Sequence, residues 1–255
     1  MAPHEKSLVT ATGGREGNAA QADRATRWLL TGGVVAPLLF ILVLLIEGAT
    51  RPGFSAWRNY WSDLELSDQG WEQIANFLVC GVLCIGLAVG LRRIWRTGRA
   101  SVWGPLLIGL LGLGLVAAGV FVTDPGRGYP PGAPLKGDPQ TWHGYAHGIN
   151  GLVLFNIVLP AACFVLAYRF AAEPQNRGWA TYSRITGALI LLISVLSLVA
   201  APLAENGTFS LPTGLIELAQ ISIGWFWLAL TARRLLRSSQ GESTPGAPRA
   251  RLSAG

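Results

Sequence analysis

The chain has 255 residues, 51% of them hydrophobic and only 13% charged, and its mean hydropathy is +0.40. That balance excludes a soluble globular domain of this size, because the apolar residues are gathered into runs of about twenty, the length that crosses a bilayer as a helix. The net charge of +6 lies between those runs; it reads as membrane topology and contact with anionic lipid, and nucleic acid is not expected as a partner.

In chain order, residues 1–27 are rich in Ala, Gly and Thr with interspersed charge and hold no apolar signal-peptide core, so they read as a disordered tail. Six apolar runs follow, at Trp28 to Ala49, Ile74 to Leu91, Val102 to Val122, Gly144 to Tyr168, Ile185 to Leu203 and Leu215 to Ala232. Pro37 and Pro160 are expected to bend the first and fourth runs, and Pro105 falls in a first turn, where its missing N–H costs nothing. Between the first two runs, Arg51 to Trp71 mixes Phe54, Trp57, Tyr60 and Trp61 with acids, the profile of a segment lying on the membrane interface. The loop Asp124 to Thr141 is so dense in Pro and Gly that it is expected to cap the bundle as irregular structure. Residues 233–255 read as a second disordered tail. The expected domain is therefore one all-α unit, an integral membrane protein with six transmembrane helices over 28–232.

Sidedness follows from the cations, which are retained on the cytoplasmic side of a span. The first tail, the connections around Arg92, Arg93, Arg96 and Arg99 and around Arg169, Arg177 and Arg184, and the last tail carry nearly all of them; only Arg51, Arg58, Arg127 and Lys136 fall on the other side. Both termini are thus expected in the cytoplasm, in a multi-pass protein of the cell (plasma) membrane. Arg far outnumbers Lys while Ala and Gly abound, which suggests a high-GC bacterial source and hence a bacterial inner membrane. Cys80, Cys84 and Cys163 all lie inside runs, so no disulfide framework is implied, and Asn206-Gly207-Thr208 matches a glycosylation sequon.

Three runs enter from the outer side, and each begins with polar groups at helical spacing: Glu72, Gln73 and Asn76; His143, His147 and Asn150; Glu217 and Gln220. With Asp124 they are the candidates for a polar outward-facing pocket, since such groups inside a span are costly unless they face one another or water. His143 and His147 share a helix face, and with Asp124 they are the candidate ligands of a zinc ion whose bound water would attack a lipid or lipid-linked substrate. A third histidine and an HExxH pattern are absent. In the competing reading the same groups hydrogen-bond across the bundle and no cofactor is needed. Haem is excluded, because ligands four apart on one helix cannot reach both faces of one iron. No GxxxxGK[ST] or GxSxG motif is present.

Three separate strings carry a family resemblance. They are Ser62-Asp63-Leu64 through Gly70-Trp71 and Gln73-Ile74-Ala75-Asn76-Phe77; Gly119-Val120-Phe121-Val122-Thr123-Asp124-Pro125 with Gly128-Tyr129-Pro130-Pro131-Gly132; and Trp142-His143-Gly144 with His147. Over roughly residues 30 to 235 the chain resembles the bacterial membrane family catalogued as domain of unknown function 998. The resemblance implies a six-helix integral membrane protein and brings no substrate. The residues themselves favour a non-catalytic membrane protein that binds a small ligand or lipid at its outer end, with the metal-dependent hydrolase as the alternative.

Overall fold

Without water to satisfy backbone N–H and C=O groups, apolar runs of this length are stable only as helices, and six long apolar helices form. The structure, a computed structural model, describes the backbone of residues 3–135, 140–205 and 211–241 and the side chains of 23–135, 140–199 and 211–238. The helices are α1 (Pro3–Thr50), α2 (Trp71–Ile94), α3 (Trp103–Val120), α4 (Trp142–Val153), α5 (Leu159–Phe170), α6 (Arg177–Glu205) and α7 (Thr213–Gly241). Helices α4 and α5 are two halves of one span, Trp142–Phe170. No strand is present among the described residues.

The spans close into a ring in chain order: α1 packs on α2, α2 on α3, α3 on α5, α5 on α6, α6 on α7, and α7 back on α1. The interior is filled by side chains such as Phe40, Leu87, Leu111, Leu166 and Trp227. Lipid tails are as apolar as these residues, so close contact rather than water exclusion must hold the ring. Backbone meets backbone between α2 and α3, where a Cβ on Gly81 would stand 2.7 Å from the Gly112 carbonyl oxygen, and one on Gly112 would stand 2.7 Å from that of Gly81. Gly148 and Gly151 of α4, by contrast, have no neighbour within 4 Å of such a Cβ.

The break between α4 and α5 has a covalent cause. Pro160, in the first turn of α5, has no N–H for the carbonyl four residues earlier, and the preceding turn Leu154–Val158 widens to a π-helix. Pro37, by contrast, lies within the unbroken helix α1.

Two expectations about the connections change. The segment after α1 does not lie flat on the interface: its 3-10 helix Trp61–Glu65 is driven into the end of the ring where α1 finishes and α2 begins, with Trp61, Asp63, Leu64 and Glu65 all buried. Its apolar side chains at 61, 64 and 66 need cover, and Trp61 finds it against Gly48 of α1 and the Phe54 ring, with the indole N–H donating to the Gly214 carbonyl at 2.8 Å. We call this segment the plug. The second outer loop sits over it, with Tyr129 edge-on to Phe54, Asn59 donating to the Arg127 carbonyl at 3.3 Å, and the Arg127 guanidinium 3.8 Å over the Tyr60 ring. At the other end, α7 continues beyond Ala232 through Arg233, Arg234 and Arg237, because Leu235 and Leu236 still pack on the core. Residues 3–27 form the first part of α1, whose side chains are described from Asp23. Lys136 to Pro139, the sequon side chains and residues 242–255 lie outside the described residues.

Candidate functional site

The two histidines sit on the first two turns of α4, facing the end of α3. A helix C-terminus leaves its last carbonyls without partners, and the imidazoles supply them: Nδ1 of His143 lies 2.9 Å from the Val122 carbonyl oxygen and Nδ1 of His147 lies 2.8 Å from that of Phe121. In both rings Nδ1 must carry the proton to donate. The four-residue spacing thus straps one helix end to the start of the next.

Asp124 completes the strap and does not terminate α3. Its Oδ2 accepts from the backbone N–H of Gln140 (2.7 Å) and of Thr141 (2.8 Å), and its Oδ1 accepts from the Thr141 hydroxyl (2.8 Å). Thr141 in turn caps α4 by accepting from the Gly144 N–H. Burial works to raise the Asp124 pKa, but the three hydrogen bonds and the nearby His143 outweigh it and hold the carboxyl below its ordinary range. Both oxygens of Asp124 are committed in this way, and His143 and His147 present Nδ1 to carbonyls. Among the described residues no group of three or more His, Cys, Asp or Glu is placed to share a metal ion.

The other pocket candidates disperse into local contacts. Glu72 takes a hydrogen bond from Arg51 at 2.8 Å. Asn76 donates to Gln73 and to the Phe40 carbonyl, and Asn150 donates to the Gly114 carbonyl. Gln220 lies deeper, donating to Asn156 at 3.1 Å and Ser194 at 3.0 Å, so that it ties the last three spans together. Glu217 accepts from the Trp61 backbone N–H at 2.7 Å and holds the plug to α7.

What the structure does concentrate at this end of the ring is buried charge that spacing alone did not single out. Arg51, 5% exposed, bridges Glu47 at 3.2 Å and Glu72 at 2.8 Å while also donating to Gln69. Asp63 accepts from the Tyr60 N–H and stands 3.9 Å from the Arg127 guanidinium; burial pushes its carboxyl up to about 6 against the pull of Arg127. Glu65, 4% exposed, reaches between α3 and α4. Its Oε2 accepts from the Thr123 N–H at 3.2 Å and lies 3.6 Å from His147 Nδ1, while its Oε1 is buried without a partner. Burial raises the Glu65 pKa to about 9, the Thr123 N–H lowering it only in part and Asp63 adding to the rise. Glu65 is therefore uncharged at neutral pH, and its contact with His147 is not an ion pair. Glu47 Oε2 is likewise buried without a partner. The acids at 47, 63 and 65 are visible in the sequence as outer-side residues; the signal that marks Asp63 and Glu65 as buried is their alternation with Leu64 and Leu66 behind Trp61.

The family described as Protein of unknown function (DUF998) matches residues 34–234. No curated protein and no solved structure matches the chain.

Proposed function

The chain belongs to the DUF998 family, and on that footing we propose that it is a multi-pass plasma-membrane protein, termini cytoplasmic, that catalyses no reaction and binds a small cation at the acid-rich outer end of its helix ring. One observation carries this reading: Glu47, Asp63, Glu65 and Glu217 are gathered at the plug, where among the described residues Arg51 and Arg127 are the cations that act on them, and Glu65 keeps one carboxyl oxygen unpartnered. Buried carboxyls are an expensive way to fill space, because an apolar side chain packs there without desolvating charge. At neutral pH a proton occupies Glu65, and a small cation would compete for the same oxygens.

The purified full-length protein in nanodiscs tests this at pH 8 by thermal unfolding against sodium, potassium, calcium and methylammonium chlorides, with choline chloride as the ionic-strength control. At least one small cation is expected to raise the midpoint saturably, by an amount that shrinks as the pH is lowered and vanishes in Glu65→Gln. Equal responses to all salts, or an undiminished response in Glu65→Gln, would overturn the reading. Metal-dependent hydrolysis through Asp124, His143 and His147 draws less support, since among the described residues no three His, Cys, Asp or Glu side chains are grouped closely enough to share an ion.

A further inference from the structure

At the opposite end of the ring, the turn between α2 and α3 and the end of α5 enclose a groove of about 570 Å³ that the outer site does not use. Thr97, Gly98, Arg99, Arg169 and Glu173 line it. The two guanidiniums are set in place by the fold. Arg169 lies 4.4 Å over the ring of Trp95, itself buried and edge-on to Phe170, and its Nη1 donates to the carbonyls of Arg99 (2.7 Å) and Thr97. Arg99 lies 4.5 Å over the Tyr168 ring. Stacking on aromatic faces orients a guanidinium and leaves its edge for an anion.

Among the described residues the hydrogen bonds of Arg169 all run from Nη1, and neither Arg99 nor Arg169 forms a salt bridge. Glu173, the one acid in the groove lining, acts on Arg169 through space without pairing to it, and its Oε2 accepts instead from Gln175 and Asn176. Two positioned guanidiniums outside any ion pair suit a phosphate, because each offers two parallel donors to adjacent phosphate oxygens. The surroundings choose the source of that phosphate. Tyr168, which the Arg99 guanidinium covers, and Trp103, at the start of α3, are exposed on spans that must face lipid, and both are residue types that settle at the headgroup level.

We propose that this groove binds the phosphate headgroup of an anionic phospholipid, with Arg99 and Arg169 as its two donors and the acyl chains lying along α3 and α5. Anionic lipid contributes about 1 kcal/mol per basic residue near a membrane surface, so removing one guanidinium should weaken binding about fivefold.

The test is thermal stabilisation of the detergent-purified full chain by added phosphatidylglycerol, beside phosphatidylcholine of the same chain length and beside inorganic phosphate. Phosphatidylglycerol is expected to raise the midpoint saturably, the other two far less, and Arg99→Gln is expected to shift half-saturation about fivefold. Arg99→Gln is chosen because Arg169 also braces the 97–99 backbone, and its loss risks the turn itself. Arg233→Gln/Arg237→Gln, which removes exposed cations at the same end but outside the groove, is expected to respond like wild type. The proposal falls if that control loses as much as Arg99→Gln, if Arg99→Gln is unaffected, or if inorganic phosphate stabilises as well as the lipid.

Discussion

Gly214→Ala is expected to unseat the plug and lower the thermal midpoint of the purified protein more than a methyl group elsewhere on the helices. A Cβ there would stand 2.3 Å from the Ala56 carbonyl oxygen and 2.4 Å from that of Asn59. Both are backbone atoms of the plug segment, so no side-chain rotation relieves the clash and the segment itself must move. Gly70→Ala meets the same obstacle from below, 1.8 Å from the Glu65 carbonyl oxygen. Overpacking of this kind costs about 1–3 kcal/mol and more where backbone must shift, and here the shift also pulls Trp61 from the Gly214 carbonyl and from Glu217. Gly148→Ala is the internal comparison: its Cβ meets nothing within 4 Å, and alanine in a helix interior is favoured over glycine by about 0.5–1 kcal/mol. If Gly214→Ala and Gly148→Ala unfold at the same temperature, the plug is not seated as described.

The second large effect is on pH. Glu65 has a folded pKa of about 9 against an ordinary value of 4.5, so the folded state binds its proton more tightly than the unfolded one. Its contribution to stability is fully present below about pH 4.5 and is lost as the pH rises through about 9. Across that window each pH unit removes about 1.4 kcal/mol from this one group. Asp63, raised from 3.8 to about 6, adds a loss of the same sign at the acid end of the range. The full-length protein should therefore melt at a lower temperature at pH 9 than at pH 6. Glu65→Gln, which keeps the shape without the titration, should flatten that slope and be the more stable protein at pH 9. A wild type that is equally stable at both values, or a variant with the wild-type slope, would mean that Glu65 is solvated.

The membrane spans were legible because their signal is summed over some twenty residues, and a single misread position hardly moves it. The expected run Trp28 to Ala49 and the observed span Asp23–Thr50 differ only at the ends, where charge, proline and helix propensity compete. The outer site was legible in its ingredients and not in its pairing. His143 and His147 do share a helix face as their spacing requires, but spacing is silent about what that face meets, and it meets the carbonyls at the end of α3. A zinc site and a helix strap make the same demand on one helix and differ only in the partner. Glu217 and His147, both pocket candidates in the sequence, meet the Trp61 N–H and the Phe121 carbonyl, partners that spacing along their own helices does not name. The plug was the largest departure. Phe54, Trp57, Tyr60 and Trp61 among acids suit a headgroup layer as well as a buried turn, and only the small residues Gly48, Gly70 and Gly214, remote from one another in sequence, make room for the second.

Glu65, buried within the plug beside His147, carries a neutral carboxyl at pH 7. Infrared difference spectroscopy between the wild type and Glu65→Gln in lipid at pH 7 reads that state directly. The wild type should contribute a protonated carboxylic acid C=O band that the variant lacks and that fades only as the pH approaches 9. A difference spectrum at pH 7 showing the loss of an ionised carboxylate instead would contradict it.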